Sequence, residues 1–186
     1  SHFNFGASNN RFYWFGAEKG EMDYYFIYGP EIKKVLTAYT NLTGRAELPP
    51  LWALGYQQCR WSYYPESEVR NLAATFRRKK IPCDVIYLDI DYMDGYRVFT
   101  WNKKYFPEPA KMLADLKKDG FKVIPIIDPG VKADTNYFGA REGLKQYLFV
   151  KYPDGQYYQG EVWPSWAYFP DFTKAATRQW WGDKLN

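Results

Sequence analysis

Short apolar runs that end in carboxylates, each followed by a helical pattern, leave this chain few folds to choose from. Val85-Ile86-Tyr87-Leu88 is apolar at every position, the mark of a strand buried on both faces. Asp89, Asp91 and Asp94 then arrive within six residues. Two readings are open for them. As helix caps and surface charges they carry no chemistry. As a cluster at the C-terminal end of a buried strand, they stand where parallel sheets bind ligands. Crowded acids there raise one another's pKa and accept hydrogen bonds from hydroxyl groups. Three acids around Tyr92 and Met93 favour this second reading.

The same unit recurs on both sides. Leu51 to Gln58 reads as a strand, Cys59 to Tyr64 as its loop, and Pro65 to Lys79 as a helix with Val69, Leu72, Ala73 and Phe76 on one face. Asp84 to Asp89 is the second strand; its loop carries Phe99-Thr100-Trp101-Asn102. Its helix, Glu108 to Lys118, buries Met112, Leu113 and Leu116 and stops at Gly120. Phe121 to Ile127 is the third strand, ending in Asp128-Pro129-Gly130. Strand, loop, helix, strand is the βα unit of a parallel sheet. Residues 131 to 170 form a long third loop. Phe149 to Tyr152, the turn Pro153-Asp154-Gly155 and Tyr157 to Trp163 predict an inserted hairpin there. A last helix is expected from Thr173, as N-cap, through Trp180 and Trp181.

Three such units fill less than half of a closed (β/α)8 barrel of roughly 250 residues. The expectation is an α/β fold, a partial TIM barrel, completed by more of the same protein or by other chains. An open α/β sheet is the alternative. Asp94-Gly95-Tyr96, however, is a turn and not a phosphate-binding glycine loop.

The first residues differ in character. Arg11 to Phe15 and Asp23 to Tyr28 read as an antiparallel pair of aromatic strands, marginal unless they lean on a larger β domain. Gly29-Pro30 opens a helix with Ile32, Val35, Leu36, Tyr39 and Leu42 on one face, closed by Gly44. The stiff connector Ala46 to Pro50 is the best domain boundary, dividing residues 1–45 from 46–186.

Aromatic residues make up 21 % of the chain. Such rings fill cores, but they also stack on bases and on the C–H faces of sugars. The net charge is only +4, and the basic run Arg77-Arg78-Lys79-Lys80 closes a helix, where cations suit the macrodipole. Without a basic groove, sugar is the better ligand than nucleic acid. Cys59 and Cys83 fall at opposite ends of adjacent strands, which argues against a disulfide. One histidine, His2, leaves no Cys/His zinc site and no Ser-His-Asp triad unless the terminus takes part. No metal or cofactor is expected. No stretch is apolar for long enough to span a membrane, and no signal peptide is evident. Ser1 and His2 read as a tag remnant or as the start of a fragment.

Five stretches together resemble glycoside hydrolase family 31, the α-glucosidases and their relatives. They are Pro49 to Gln57 with Arg60-Trp61; Asp89-Ile90-Asp91-Tyr92-Met93 with Phe99-Thr100 and Phe106-Pro107; Ile126-Ile127-Asp128-Pro129; Val162-Trp163-Pro164; and Pro170-Asp171-Phe172-Thr173. The resemblance implies a retaining glycosidase on a (β/α)8 barrel, preceded by a β-sandwich whose end would be residues 1–45. It implies that Asp89 hydrogen-bonds sugar hydroxyls in the −1 subsite, that Ile90, Ile127 and Trp163 line that pocket, and that Trp61 walls it. Asp91, Arg60 and Asp128 would support them from behind.

The family's nucleophile belongs to a W-x-D-M-N-E motif, which this chain does not contain; its acid/base lies further on still. Asp89 and Asp91 fall on one face if the strand continues, side by side rather than across a scissile bond. No catalytic residue is therefore assigned within the chain, and it is expected to be inactive alone. The expected partner is an α-linked oligosaccharide or glycoside, with missing barrel strands supplied from the rest of the protein. Alternatives are an α-xylosidase or α-transglucosylase of the same family, or a non-catalytic glycan-binding module. A chitinase-type D-x-D-x-E is weakened by Met93, which stands where the acid would be. Trp180 and Trp181 read as helix packing, and Asp171 as a helix-start residue.

Overall fold

The computed structural model describes residues 2–185. The chain divides between Leu48 and Pro49 into two compact units.

In the first unit, β1 (His2–Asn4) pairs antiparallel with β2 (Trp14–Gly16), with Phe3 opposite Phe15. The expected partner, Asp23 to Tyr28, is not a strand. Asn4 explains the difference: its side-chain oxygen accepts from the amides of Ala7 and Ser8 and turns the chain back early. Tyr24 still covers the pair, stacking on Phe15 at 5.1 Å and sharing a hydroxyl bond with Tyr13. Helix α1 (Ile32–Thr43) starts two residues after Pro30, with the Glu31 carbonyl accepting from Lys34 and Val35. Gly44, at φ 84°, closes it. Ile32, Leu36, Tyr39 and Leu42 make an apolar face that is solvent-exposed.

The second unit opens at Pro49. Leu51–Leu54 is a 3-10 turn, not the start of a strand. Pro49 and Pro50 favour the turn, and the Pro50 carbonyl accepts from Ala53. Only Gln57–Gln58 remains as strand β3. It is followed by α2 (Glu66–Arg78), β4 (Val85–Leu88), α3 (Pro109–Lys118) and β5 (Lys122–Pro125). The three strands form a parallel sheet in chain order, with Gln57 beside Val85 and Val85 beside Lys122. Both helices bury the faces that the spacing predicts: Val69 and Ala73 on α2, Met112 and Leu116 on α3. They cover a core of Ile86, Leu88, Phe106 and Phe121. Arg77 closes α2 over the Phe121 ring at 3.7 Å and donates to the carbonyls of Cys83 and Asp119. Cys59 and Cys83 are both free thiols.

The long loop after β5 has more structure than one hairpin. Strand β6 (Val131–Lys132) precedes helix α4 (Phe138–Lys145), and β7 (Gln159–Val162) and β8 (Ser165–Tyr168) follow. They make an antiparallel sheet of order β6-β8-β7. The predicted pairing of residues 149–152 with 157–163 is reduced to the bridge Lys151–Tyr157 around the Pro153 to Gly155 turn. The main partner of β7 is β8, because Trp163-Pro164 and Ser165 at φ 80° reverse the chain there. Phe149 is fully buried between this layer and α5 (Ala175–Leu185), stacked on Tyr168 and edge-on to Trp180. Thr173 does not cap α5 directly: its hydroxyl and amide both donate to Asp171, and the helix starts two residues later.

Candidate functional site

Parallel pairing brings the C-terminal ends of β3, β4 and β5 to one edge. Cys59-Arg60-Trp61, Asp89-Ile90-Asp91 and Ile126-Ile127-Asp128 therefore leave the sheet on the same side. What happens next depends on Asp89. Its carboxylate accepts from the amide of Ile90 at 2.8 Å and caps a 3-10 turn, Ile90–Tyr92. The strand thus ends at Leu88, and the alternation that would put Asp89 and Asp91 on one face does not apply.

The turn presents Asp91 to two donors. Trp61 Nε1 donates to one carboxylate oxygen at 3.0 Å, and the Tyr96 hydroxyl to the other at 3.2 Å. Trp61 is 74 % exposed, so its indole is an open face whose edge is pinned. The Tyr96 ring meets Trp163 edge-on, with centroids 5.6 Å apart and planes at 88°. Trp163 Nε1 in turn donates to Asp128 at 2.5 Å. Trp61, Asp91, Tyr96, Trp163 and Asp128 form one connected wall across three loops. Asp91's charge, more than burial, pushes the Tyr96 phenol above its ordinary pKa.

A cleft of about 560 Å³ opens beside this wall, lined by Arg60, Trp61, Ser62, Tyr64, Glu68, Asp91 and Tyr96. The Arg60 guanidinium lies 5.4 Å from the centre of the Tyr63 ring and lines the cleft. The hydroxyl oxygen of Ser62 is buried with no hydrogen-bond partner among the described residues. Flat indole faces with carboxylate acceptors beside them suit a sugar ring, which offers apolar C–H faces and hydroxyl donors together.

Of the sequence-predicted residues, Trp61, Arg60 and Asp91 share the cleft, and Trp163 and Asp128 join it through Tyr96. Asp89 is half-buried behind its own turn, and Ile90 packs on the core. Ile127 lines a separate cavity of about 230 Å³ with Tyr92, Phe99, Trp101 and Leu185. Tyr92 is tied to the neighbouring strand end. Its hydroxyl donates to the Ile126 carbonyl at 2.8 Å, and burial, helped by Asp128, pushes its pKa up to about 12. Tyr96 is the residue that sequence reasoning passed over, because Asp94-Gly95-Tyr96 signals only a turn. Among the described residues no three His, Cys, Asp or Glu side chains gather as a metal site.

Residues 46–186 match the model of the glycosyl hydrolases family 31 TIM-barrel domain. The chain is 53 % identical over 182 residues to Alpha-glucosidase 2 of Bacillus thermoamyloliquefaciens, covering 98 % of this chain and 23 % of that protein. It is 42 % identical over 170 residues to human Neutral alpha-glucosidase AB, covering 91 % and 18 %. The glucose complex of the Flavobacterium johnsoniae family 31 dextranase superposes with a TM-score of 0.88 at 38 % identity, covering 98 % of this chain and 23 % of that one. The chain belongs to glycoside hydrolase family 31. It spans less than a quarter of the length of these relatives.

Proposed function

We propose that this chain is part of a retaining α-glucosidase-type hydrolase that removes terminal α-linked glucose from oligosaccharides. The observation that carries the reading is the paired placement of Trp61 on Asp91 and Trp163 on Asp128 at the C-terminal edge of a parallel sheet. Each indole is pinned at its edge and keeps a face for a sugar ring, and the α-glucosidase names of the relatives point to the same substrate class.

In this reading residues 46–186 are the N-terminal part of a (β/α)8 barrel, and residues 1–45 are the end of a preceding β-sandwich with its connecting helix. The remaining barrel strands come from the rest of the protein. Asp89 binds hydroxyls of the glucose in the −1 subsite, with Ile90 and Ile127 beside it and Trp61 and Trp163 as walls. Asp91, Arg60 and Asp128 support them. Asp91 already accepts from Trp61 and Tyr96, and Asp128 from Trp163, which suits orientation rather than attack on an anomeric carbon. The nucleophile and acid/base, placed about 5–5.5 Å apart in a retaining mechanism, lie outside these 186 residues.

The test is turnover of aryl α-glucoside and aryl α-xyloside by the full-length protein and by the 186-residue chain. The full-length protein is expected to hydrolyse the glucoside with retention, and the chain alone neither substrate. Turnover by the chain alone, or a preference of the full-length protein for the xyloside, would overturn the corresponding part of the proposal.

A further inference from the structure

Tyr96 is held more tightly than a turn residue needs to be. Its backbone lies in the left-handed region, φ 62°, directly after Gly95 at φ 54°. A tyrosine there is strained, and such strain persists where neighbours over-determine it. The neighbours here come from the inserted layer. Lys132 Nζ donates to the Gly95 carbonyl at 2.9 Å. Arg97 forms an ion pair with Asp134. The Tyr137 hydroxyl donates to the Val98 carbonyl at 2.6 Å. These ties fix residues 95–98 against β6 and the turn that follows it, and leave the Tyr96 side chain reaching both halves of the cleft wall. Its hydroxyl takes Asp91, which also holds Trp61; its ring takes Trp163, which is held by Asp128.

We propose that Tyr96 is a positioning residue that fixes the spacing between the Trp61 and Trp163 indoles along the cleft wall and thereby sets how tightly an α-glycoside seats against them. The inference rests on the sugar-cleft reading above and adds a residue to it. The two ends of the side chain have separable effects. The hydroxyl orients Asp91 and, through it, the Trp61 indole. The ring edge limits the tilt of Trp163, whose own loop is exposed.

The experiment uses the full-length protein, its Tyr96→Phe and Tyr96→Ala variants, and 5-fluorotryptophan labelling with the Trp163 signal assigned through Trp163→Phe. Tyr96→Ala is expected to move the Trp163 fluorine resonance, whereas Tyr96→Phe leaves it in place and moves that of Trp61. With an aryl α-glucoside, loss of one hydrogen bond in Tyr96→Phe lowers kcat/KM about fivefold. Loss of the ring contact as well takes Tyr96→Ala to about twentyfold. Both losses are expected in KM, with kcat nearly unchanged. A residue needed only for folding would instead lower the active fraction, reducing apparent kcat at constant KM. An unmoved Trp163 resonance in Tyr96→Ala, or a loss confined to kcat, would overturn the proposal. If the wild-type protein turns over no α-glycoside, the hydrolase reading fails, while the fluorine spectra still decide whether Tyr96 spaces the two indoles.

Discussion

Arg97 grips Asp134 with two donors, Nε at 3.0 Å and Nη2 at 2.5 Å, and so fastens the loop after β4 to the turn that follows β6. The two residues are 37 apart in sequence, and their contact keeps Tyr96 within reach of Trp163. The Arg97 hydrogen bonds, with a backbone bond from Asn136, hold the Asp134 carboxyl below the usual carboxylate range.

A pH dependence follows from that depression. A carboxyl whose folded pKa lies below its unfolded one contributes stability that is fully present above the unfolded pKa. That contribution is lost as pH falls through the folded pKa. Wild-type protein should therefore lose more thermal stability than Asp134→Asn between pH 6 and roughly pH 3, the span around an ordinary aspartate pKa. Glu142, lowered by Lys184 and then by the Trp180 N–H, acts in the same direction and remains in both proteins. Parallel melting-temperature curves for the two would show that Arg97 gives Asp134 no linkage to folding.

Asp89 is a cap in the structure and a sugar ligand in the proposal. As N-cap of the Ile90–Tyr92 turn it accepts the Ile90 amide; the proposed function adds that its carboxylate accepts from sugar hydroxyls. Asparagine caps about as well as aspartate, while alanine costs about 1 kcal/mol at such a position. Asp89→Asn should leave the unfolding midpoint unchanged yet reduce kcat/KM of the full-length protein at least tenfold, because charge-assisted hydroxyl contacts tighten in the transition state. Asp89→Ala should lose both. Wild-type kcat/KM in Asp89→Asn would remove Asp89 from the sugar site and leave it as a cap.

The legible parts of this fold are those whose signal is local. Val85 to Leu88 and the faces of α2 and α3 are written in apolar spacing, and each forms where that spacing puts it. Residues 51–54 are equally apolar, but two prolines before them make a 3-10 turn the cheaper local structure. Helix α4 is hidden because Gly139 and Gly143 lower its propensity; the close approach of Tyr137 and Phe149 requires them. In the site, Trp61, Asp91, Trp163 and Asp128 carry the family resemblance and do come together. Tyr96 joins them through a positive-φ turn and contacts distant in sequence, which no spacing rule encodes. Ile127 instead lines a separate cavity with Tyr92 and the end of α5, contacts that are likewise distant in sequence.

Gly143 gives a stability prediction in which two local effects oppose each other. It lies inside α4, where glycine-to-alanine substitution favours the helix by roughly 1 kcal/mol. A β-carbon there, however, would stand 2.1 Å from the Phe149 ring. Phe149 is fully buried, stacked on Tyr168 at 5.1 Å and edge-on to Trp180 at 6.3 Å, so it has nowhere to move. Overpacking a tight core costs about 1–3 kcal/mol, and rigid neighbours put this site at the upper end. Gly143→Ala should therefore destabilise the second unit by about 1–2 kcal/mol net. Gly182 in α5 is the control, since among the described residues a β-carbon there would meet nothing within 4 Å. Gly182→Ala should stabilise by about 0.5–1 kcal/mol, from helix propensity alone. Denaturant midpoints at equal slope would read both changes. If the two variants shift the same way, Phe149 yields to a methyl group and the layer between α4 and α5 is looser than its packing implies.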